Sequence, residues 1–250
     1  MSWGDLILLL TLAFASSFLQ RVTGFGFGIL LMTVLPYLAP SYAEATAVSG
    51  LLAMINNVVP AIKYRHLVFA SSPGRIRGHK LLIIASVCLI FSFFAIVFVS
   101  KVESALLKHI LGGMLIALSI YFLFVNGRIR INPTPAAQAG MGALSGAMGG
   151  LFSMQGPPAV IYFLACSDSK EEYLGLTQTY FLISNIAMAA FRAGHGMITA
   201  EVLEMTAIGI PAVLLGLLAG SKVFERLNSD SLKKAIYIFL ALAGVAALLS

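Results

Sequence analysis

Six stretches of this chain run without one charged side chain: 22–43, 81–99, 131–167, 173–191, 205–221 and 235–250. A helix crosses the hydrocarbon core of a bilayer with about 20 predominantly apolar residues, and about 17 to 25 are tolerated. Most of the runs therefore suit one crossing each, whereas 131–167 is too long for a single helix and holds a turn. Of the 250 residues 59% are hydrophobic and 10% are charged, with a mean hydropathy of +0.95. That balance cannot supply the solvated surface of a soluble domain. The chain reads as an all-α integral membrane protein of the cytoplasmic membrane, with the lipid bilayer as its main partner.

Glycine and proline interrupt two of these runs. The first break is Gln20-Arg21-Val22-Thr23-Gly24-Phe25-Gly26-Phe27-Gly28, and the second is Phe152-Ser153-Met154-Gln155-Gly156-Pro157-Pro158. In lipid a helix must satisfy its own backbone, so such breaks are tolerated only where protein or a wet cavity lines them. Breaks at corresponding places in two halves point to a substrate site near the membrane midplane between internal repeats.

Spans read between the charges fall near 44–62, 80–99 and 106–125 in the first half, and near 173–191, 202–220 and 233–250 in the second. Each half opens with a pair of shorter segments, 6–20 with 25–38 and 138–152 with 157–166. A segment of 12 to 15 residues rises about 18 to 22 Å, less than the core of about 30 Å. Re-entrant pairs and tilted full spans both fit that length. The division predicted is 1–130 for one repeat and 131–250 for the other.

Short cytoplasmic loops collect Lys and Arg. Lys63, Arg65, Arg75, Arg77, Lys80, Arg128, Arg130, Lys170, Lys222, Arg226, Lys233 and Lys234 fall on one side by this reading. Lys101, Lys108 and Arg192 fall on the other, and both termini face outward. The stretch 6–19 lacks the basic flank of a secretory signal, because Arg21 is the first basic residue, so it is expected to stay in the mature protein.

Asn56, Lys63 and His66 share their spacing with Asn185, Arg192 and His195, and Ser100-Lys101-Val102 recurs as Ser221-Lys222-Val223. An odd number of full spans per half inverts the second copy, so the chain is expected to hold two inverted repeats.

Chemistry is expected at the breaks. With Gly24 and Gly156 opening the second member of each pair, helix starts would point inward with orphan N–H groups and about half a positive charge, which favours anions. Pro157 and Pro158 suit a first helical turn, where no donor is lost. Thr23, Gly24, Phe25, Gly26, Gly156 and Pro157 are therefore candidate binding residues. The amides of Gln20, Asn56, Asn57, Gln155, Gln178 and Asn185 lie in otherwise apolar spans and must find partners in the interior or line a cavity. Arg21, close to the first break, is a candidate counter-charge for an anion. Gly142, Gly146 and Gly150, at four-residue spacing, read as a helix-packing stripe.

Other chemistries lack their patterns. Cys88 and Cys166 give neither a disulfide framework nor metal-ligand spacing and read as small buried hydrophobes. The Gly24-Gly26-Gly28 run has no βαβ surroundings, which removes a nucleotide loop. No nucleophile, base and orienting acid cluster, so an enzyme is the weaker class, and a passive anion channel is the other alternative. A net charge of +6 belongs to loops between spans and sets membrane orientation, not nucleic-acid binding. No cofactor or metal is expected, protons are a candidate coupling ion, and the sequence sets no oligomeric state.

Gln20 with Thr23-Gly24-Phe25-Gly26-Phe27-Gly28 and Pro36, followed by Gly156-Pro157-Pro158-Ala159-Val160-Ile161-Tyr162, resembles the sulfite exporter TauE/SafE family of bacterial inner-membrane permeases. The two motifs stand in order, 132 residues apart from Gly24 to Gly156. The resemblance implies a secondary transporter that moves sulfite or an organosulfonate such as sulfoacetate outward. It also implies that the signature segments fall on 20–28 and 155–158. The second motif, Met154-Gln155-Gly156-Pro157-Pro158, is poorer in glycine than in many members.

The orientation makes a direct prediction. A single cysteine placed near Ser72 is expected to label from the cytoplasmic side alone, and one near Gly196 from the outer side alone. Membrane-impermeant thiol labelling of right-side-out and inverted vesicles reads this, and labelling of both positions from one side removes the inversion.

Overall fold

The computed structural model describes residues 2–69, 77–124, 134–228 and 231, and every regular element among them is helical. The order is α1 (Trp3–Thr23), α2 (Phe27–Met32), α3 (Leu35–Leu38), α4 (Tyr42–Phe69), α5 (Arg77–Val99), α6 (Ser104–Phe124), α7 (Pro135–Phe152), α8 (Gly156–Cys166), α9 (Lys170–Gly194) and α10 (Ala200–Arg226). The expected span 233–250, the loop around Ser72 and the basic residues Arg128, Arg130, Lys233 and Lys234 lie outside the described residues. Among the described helices α1, α4, α5, α9 and α10 are each long and apolar enough to cross a membrane.

Helix starts follow local chemistry. Ser2 accepts from the Asp5 N–H at 3.1 Å while Asp5 Oδ2 accepts from the Ser2 N–H at 2.9 Å, a reciprocal box that satisfies orphan donors. Thr134, Ser169 and Thr199 cap α7, α9 and α10 in the same way, accepting from Ala137, Glu172 and Val202. These polar caps start α7, α9 and α10 two or three residues ahead of the sequence estimate, at 135, 170 and 200 against 138, 173 and 202.

The first segment pair needs correction. α1 has 21 residues and rises about 31 Å, enough to cross the core, so its first member is not short. The second member splits into α2 and α3, with Pro36 in the first turn of α3. In the other half α8, with 11 residues, rises only about 16 Å and cannot cross by itself.

Long helices pack as pairs. On α7 a Cβ at Gly142 would lie 2.6 Å from the Ile84 carbonyl, and one at Gly146 2.3 Å from that of Cys88. At Gly150 it would lie 2.7 Å from the Ser92 carbonyl. Contacts that advance by four residues on both helices mean that α7 and α5 run parallel, backbone against backbone, as the glycine stripe predicts. α10 meets α1 likewise: a Cβ at Gly216 would lie 2.3 Å from the Phe14 carbonyl, and one at Gly220 2.8 Å from that of Phe18.

The central pair, α4 and α9, runs antiparallel. Gly175 near the start of α9 packs on Tyr64 and Val68 near the end of α4, whereas Arg192 near the end of α9 reaches Gly50 in the first half of α4. Each outer pair flanks one side of this central pair, with α10 against α4 and α5 against α9. Cys88 and Cys166 are both buried, and no disulfide joins them.

Because the groove at Gly146 is bounded by backbone, a larger residue has nowhere to go. Gly146→Leu is expected to lower the melting temperature in detergent by several degrees, while Gly112→Leu, at a position with open space around the Cβ, leaves it unchanged. Equal melting of the two variants removes the close-packed α5–α7 seam.

Candidate functional site

Both breaks begin with a helix that ends in the left-handed conformation. α1 stops at Gly24 with φ 90°, its N–H donating to the Gln20 carbonyl, and α7 stops at Ser153 with φ 56°. Glycine takes this conformation without penalty, but a serine bears the crowding of its Cβ. Ser153 is the one non-glycine residue with positive φ among the described residues. α2 then starts after Gly26, φ 102°, and α8 after Gln155. Gly24 therefore closes α1 and does not open the next helix, while Gly156 opens α8 as expected.

The register of the two halves shifts accordingly. Asn56 and Asn185 are separated by 129 residues, and the same step separates the helix ends Gly24 and Ser153 and the start residues Gly26 and Gln155. Gly24 thus has Ser153 as its counterpart, and Gly156 has Phe27.

The breaks touch. A Cβ on Gly28 would lie 2.0 Å from the Ser153 carbonyl oxygen, so only glycine lets the first break pass the second. A Cβ on Gly156 would lie 3.2 Å from that of Phe25, which is fully buried. Between the breaks lies a cavity of about 20 Å³, walled by Gln20, Gly26, Phe27, Gly28 and Ile29 from one side and Ser153, Met154, Gln155 and Gly156 from the other. Ala53 and Asn57 of α4 and Phe181 and Asn185 of α9 complete it. That volume holds about one water molecule.

Amides organise the walls. Gln20 Nε2 donates to Asn57 Oδ1 and, at 3.2 Å, to Gln178 Oε1, and Gln178 Nε2 donates to the Gly24 carbonyl at 2.7 Å. Gln155 Nε2 donates to Asn185 Oδ1 at 3.1 Å. Each break is thereby tied by a glutamine to an asparagine of a long helix, α4 in one half and α9 in the other. Asn57 Nδ2 and Gln155 Oε1 are buried without a partner among the described residues. A buried polar atom left unpaired costs about 1–3 kcal/mol, so these two are poised for a ligand.

Other candidates lie outside the cavity. Gly24 packs on the Tyr173 ring, 2.7 Å from where its Cβ would be, and the Tyr173 hydroxyl donates to the Thr23 carbonyl at 2.9 Å. Thr23 bonds the Leu19 and Phe25 carbonyls, and Pro157 is buried in the first turn of α8. Asn56 Oδ1 accepts from the Ser17 hydroxyl at 2.7 Å, joining α4 to α1. Arg21 is 3% exposed, donates through Nε to Ser221 Oγ at 2.7 Å and stacks over Phe224, 5.0 Å from its centroid. Its guanidinium is not among the cavity walls.

One charge is buried where a place at a span end implied exposure. Arg192, read from the sequence as a residue of an outer loop, is 1% exposed in the last turn of α9, where Nη2 donates to the Gly149 carbonyl at 3.0 Å. Positive-inside bookkeeping treats every cation at a span end as solvated and so cannot see a guanidinium turned inward. His66 and His195 are exposed at span ends, as expected. Phe27, Gly28, Ile29, Ala53, Ser153, Met154 and Phe181 line the cavity without being among the candidates the sequence singled out. The 129-residue step, applied to Gly24, is the signal that would have found Ser153.

Among known proteins, the family model described as sulfite exporter TauE/SafE matches residues 8–247. A curated relative, the probable sulfite/organosulfonate exporter TauE of Cupriavidus necator, is 26% identical over 219 residues. The match covers 83% of this chain and 80% of that protein. No solved structure matches the chain significantly.

The contact of the two breaks is testable without a ligand. Gly28→Ala is expected to lower the melting temperature well beyond Gly113→Ala, whose added Cβ meets nothing. Matching melting temperatures would mean that the breaks do not abut through Gly28 and the Ser153 carbonyl.

Proposed function

We propose that this chain, which belongs to the sulfite exporter TauE/SafE family, is a secondary transporter carrying a small sulfur oxyanion or organosulfonate outward across the inner membrane. The chain is a multi-pass membrane protein with five described helices able to cross the bilayer. The relative's name supplies the anion class, sulfite or organosulfonate. The observation that carries the reading is a cavity walled by both broken segments and by amides from both halves.

In this reading residues 1–130 and 131–250 are inverted copies. Support comes from α4 and α9, which share the 129-residue step and run antiparallel. The α1–α10 and α5–α7 pairs, both parallel, exchange with one another under the same operation. Helices that are equivalent and antiparallel need a two-fold axis in the membrane plane, the arrangement of transporters that rock one half against the other.

Neutral donors suit a carrier. The Asn57 amide and the Gly156 N–H, the one backbone donor among the first three residues of α8 because Pro157 and Pro158 have none, can meet an oxyanion without holding it so tightly that release fails. A cavity with room for about one water is too small for a trioxo-sulfur anion, so binding requires the breaks to part. A site that must widen to admit its anion favours alternating access over an open pore.

Proteoliposomes loaded with sulfite, sulfoacetate, methanesulfonate, sulfate or acetate test the proposal. Saturable efflux of the sulfur(IV) or sulfonate anions above protein-free vesicles is expected, and an imposed pH gradient reads proton coupling. Gln20→Ala and Gln155→Ala are each expected to weaken binding by about 1–3 kcal/mol with assembly intact. Efflux of none of the sulfur anions removes the function. Unchanged binding in both variants makes these glutamines helix-joining residues only.

A further inference from the structure

The charge this site needs is on α9. Arg192 is 1% exposed, and of its five N–H donors the described contacts include Nη2 to the Gly149 carbonyl, while Nε is buried with no partner among the described residues. The described ion pairs are Lys63–Glu225 and Lys170–Glu171, and neither involves Arg192. A guanidinium away from water without a carboxylate is costly, and ionisable groups at membrane depth face the interior and mark substrate pathways.

Its surroundings are built to receive an anion. A Cβ on Gly50 would lie 2.5 Å from Arg192 Nη1 and 3.4 Å from Ser153 Oγ, so the guanidinium and the hydroxyl converge over a bare glycine of α4. Ser153 is also a wall of the cavity between the breaks. One end of the cavity thus adjoins a fixed positive charge with an unused donor, beside the Ser153 hydroxyl, whose own proton goes to the Thr46 carbonyl at 3.2 Å.

We propose that Arg192 is the fixed positive charge of the transport path: its guanidinium, held over Gly50 beside the Ser153 break, forms a second station for the sulfur oxyanion next to the amide-lined cavity. This inference rests on the exporter reading above. The alternative role, capping the C-terminal end of α7 through the Gly149 carbonyl, concerns stability and needs neither the idle Nε nor the space over Gly50. Arg21 likewise buries Nη1 without a partner among the described residues, but it is bonded to Ser221, stacked on Phe224 and absent from the cavity walls.

Calorimetric binding of sulfite and of methanesulfonate to the full-length protein in detergent, with melting temperature measured beside it, separates the cases. Arg192→Gln keeps an amide donor and loses the charge; it is expected to weaken both anions about tenfold or more, the size of a lost charge-assisted bond, with Arg192→Lys recovering part. Gly50→Ala keeps the charge but displaces the flexible guanidinium end, and is expected to weaken binding several-fold without lowering the melting temperature. A folded Arg192→Gln that binds like wild type overturns the proposal, whatever its melting temperature. Where Arg192→Gln does not fold, Gly50→Ala decides, and wild-type affinity in that variant overturns it. Wild-type protein that binds neither anion removes the exporter reading and this inference with it, whereas wild-type binding unaffected by these variants removes the inference alone.

Discussion

A helix that ends inside a membrane leaves peptide groups that water cannot reach, and this fold holds two such ends, at Gly24 and Ser153. Each end must be satisfied from neighbouring protein. Tyr173 and Gln178 of α9 bring their side chains to the Thr23 and Gly24 carbonyls, and Arg192 of the same helix serves Gly149 at the other end. One long helix therefore supports both breaks. Its position is fixed by the antiparallel contact with α4, whose Gly50 and Asn57 reach the same two regions.

Close approach of backbones makes this possible. Glycines on α7 and α10 let the outer helices sit against α5 and α1 at carbonyl distance, which draws the breaks toward the centre. Gly28 then passes the Ser153 carbonyl with no room for a side chain. In lipid there is no hydrophobic force between helices, so packing of small residues and interhelical hydrogen bonds must carry association. The buried amides serve both ends: Gln20 and Gln155 join helices and also face the space that a ligand would enter.

Binding and rigidity conflict in such a site. Gln20, Gln178, Asn57 and the Gly24 carbonyl form a connected network around the first break, whereas Gln155 is held by Asn185 and its Oε1 is unclaimed among the described residues. The second break also carries the left-handed Ser153, a conformation that costs energy and persists only when neighbours enforce it. Each break keeps one buried amide atom unclaimed among the described residues, Asn57 Nδ2 in one and Gln155 Oε1 in the other, and the second alone carries the left-handed serine.

The sequence by itself determined the membrane class, the helical architecture and both breaks, because charge-free runs, glycine and proline act locally and leave their mark in composition. The glutamines and asparagines at the cavity, Gln20, Asn57, Gln155 and Asn185, were legible for the same reason: an amide in an apolar span has to be used. The family was readable from two motifs in order. Tertiary structure alone decided which residues meet. Gly24 turned out to seat Tyr173, Ser153 to be its counterpart, and Arg192 to point inward where the charge pattern had placed it in a loop. Those outcomes depend on contacts between residues far apart in sequence, such as Gly50 with Arg192 and Gly28 with Ser153, and no local pattern of residue types encodes a distance between two backbones.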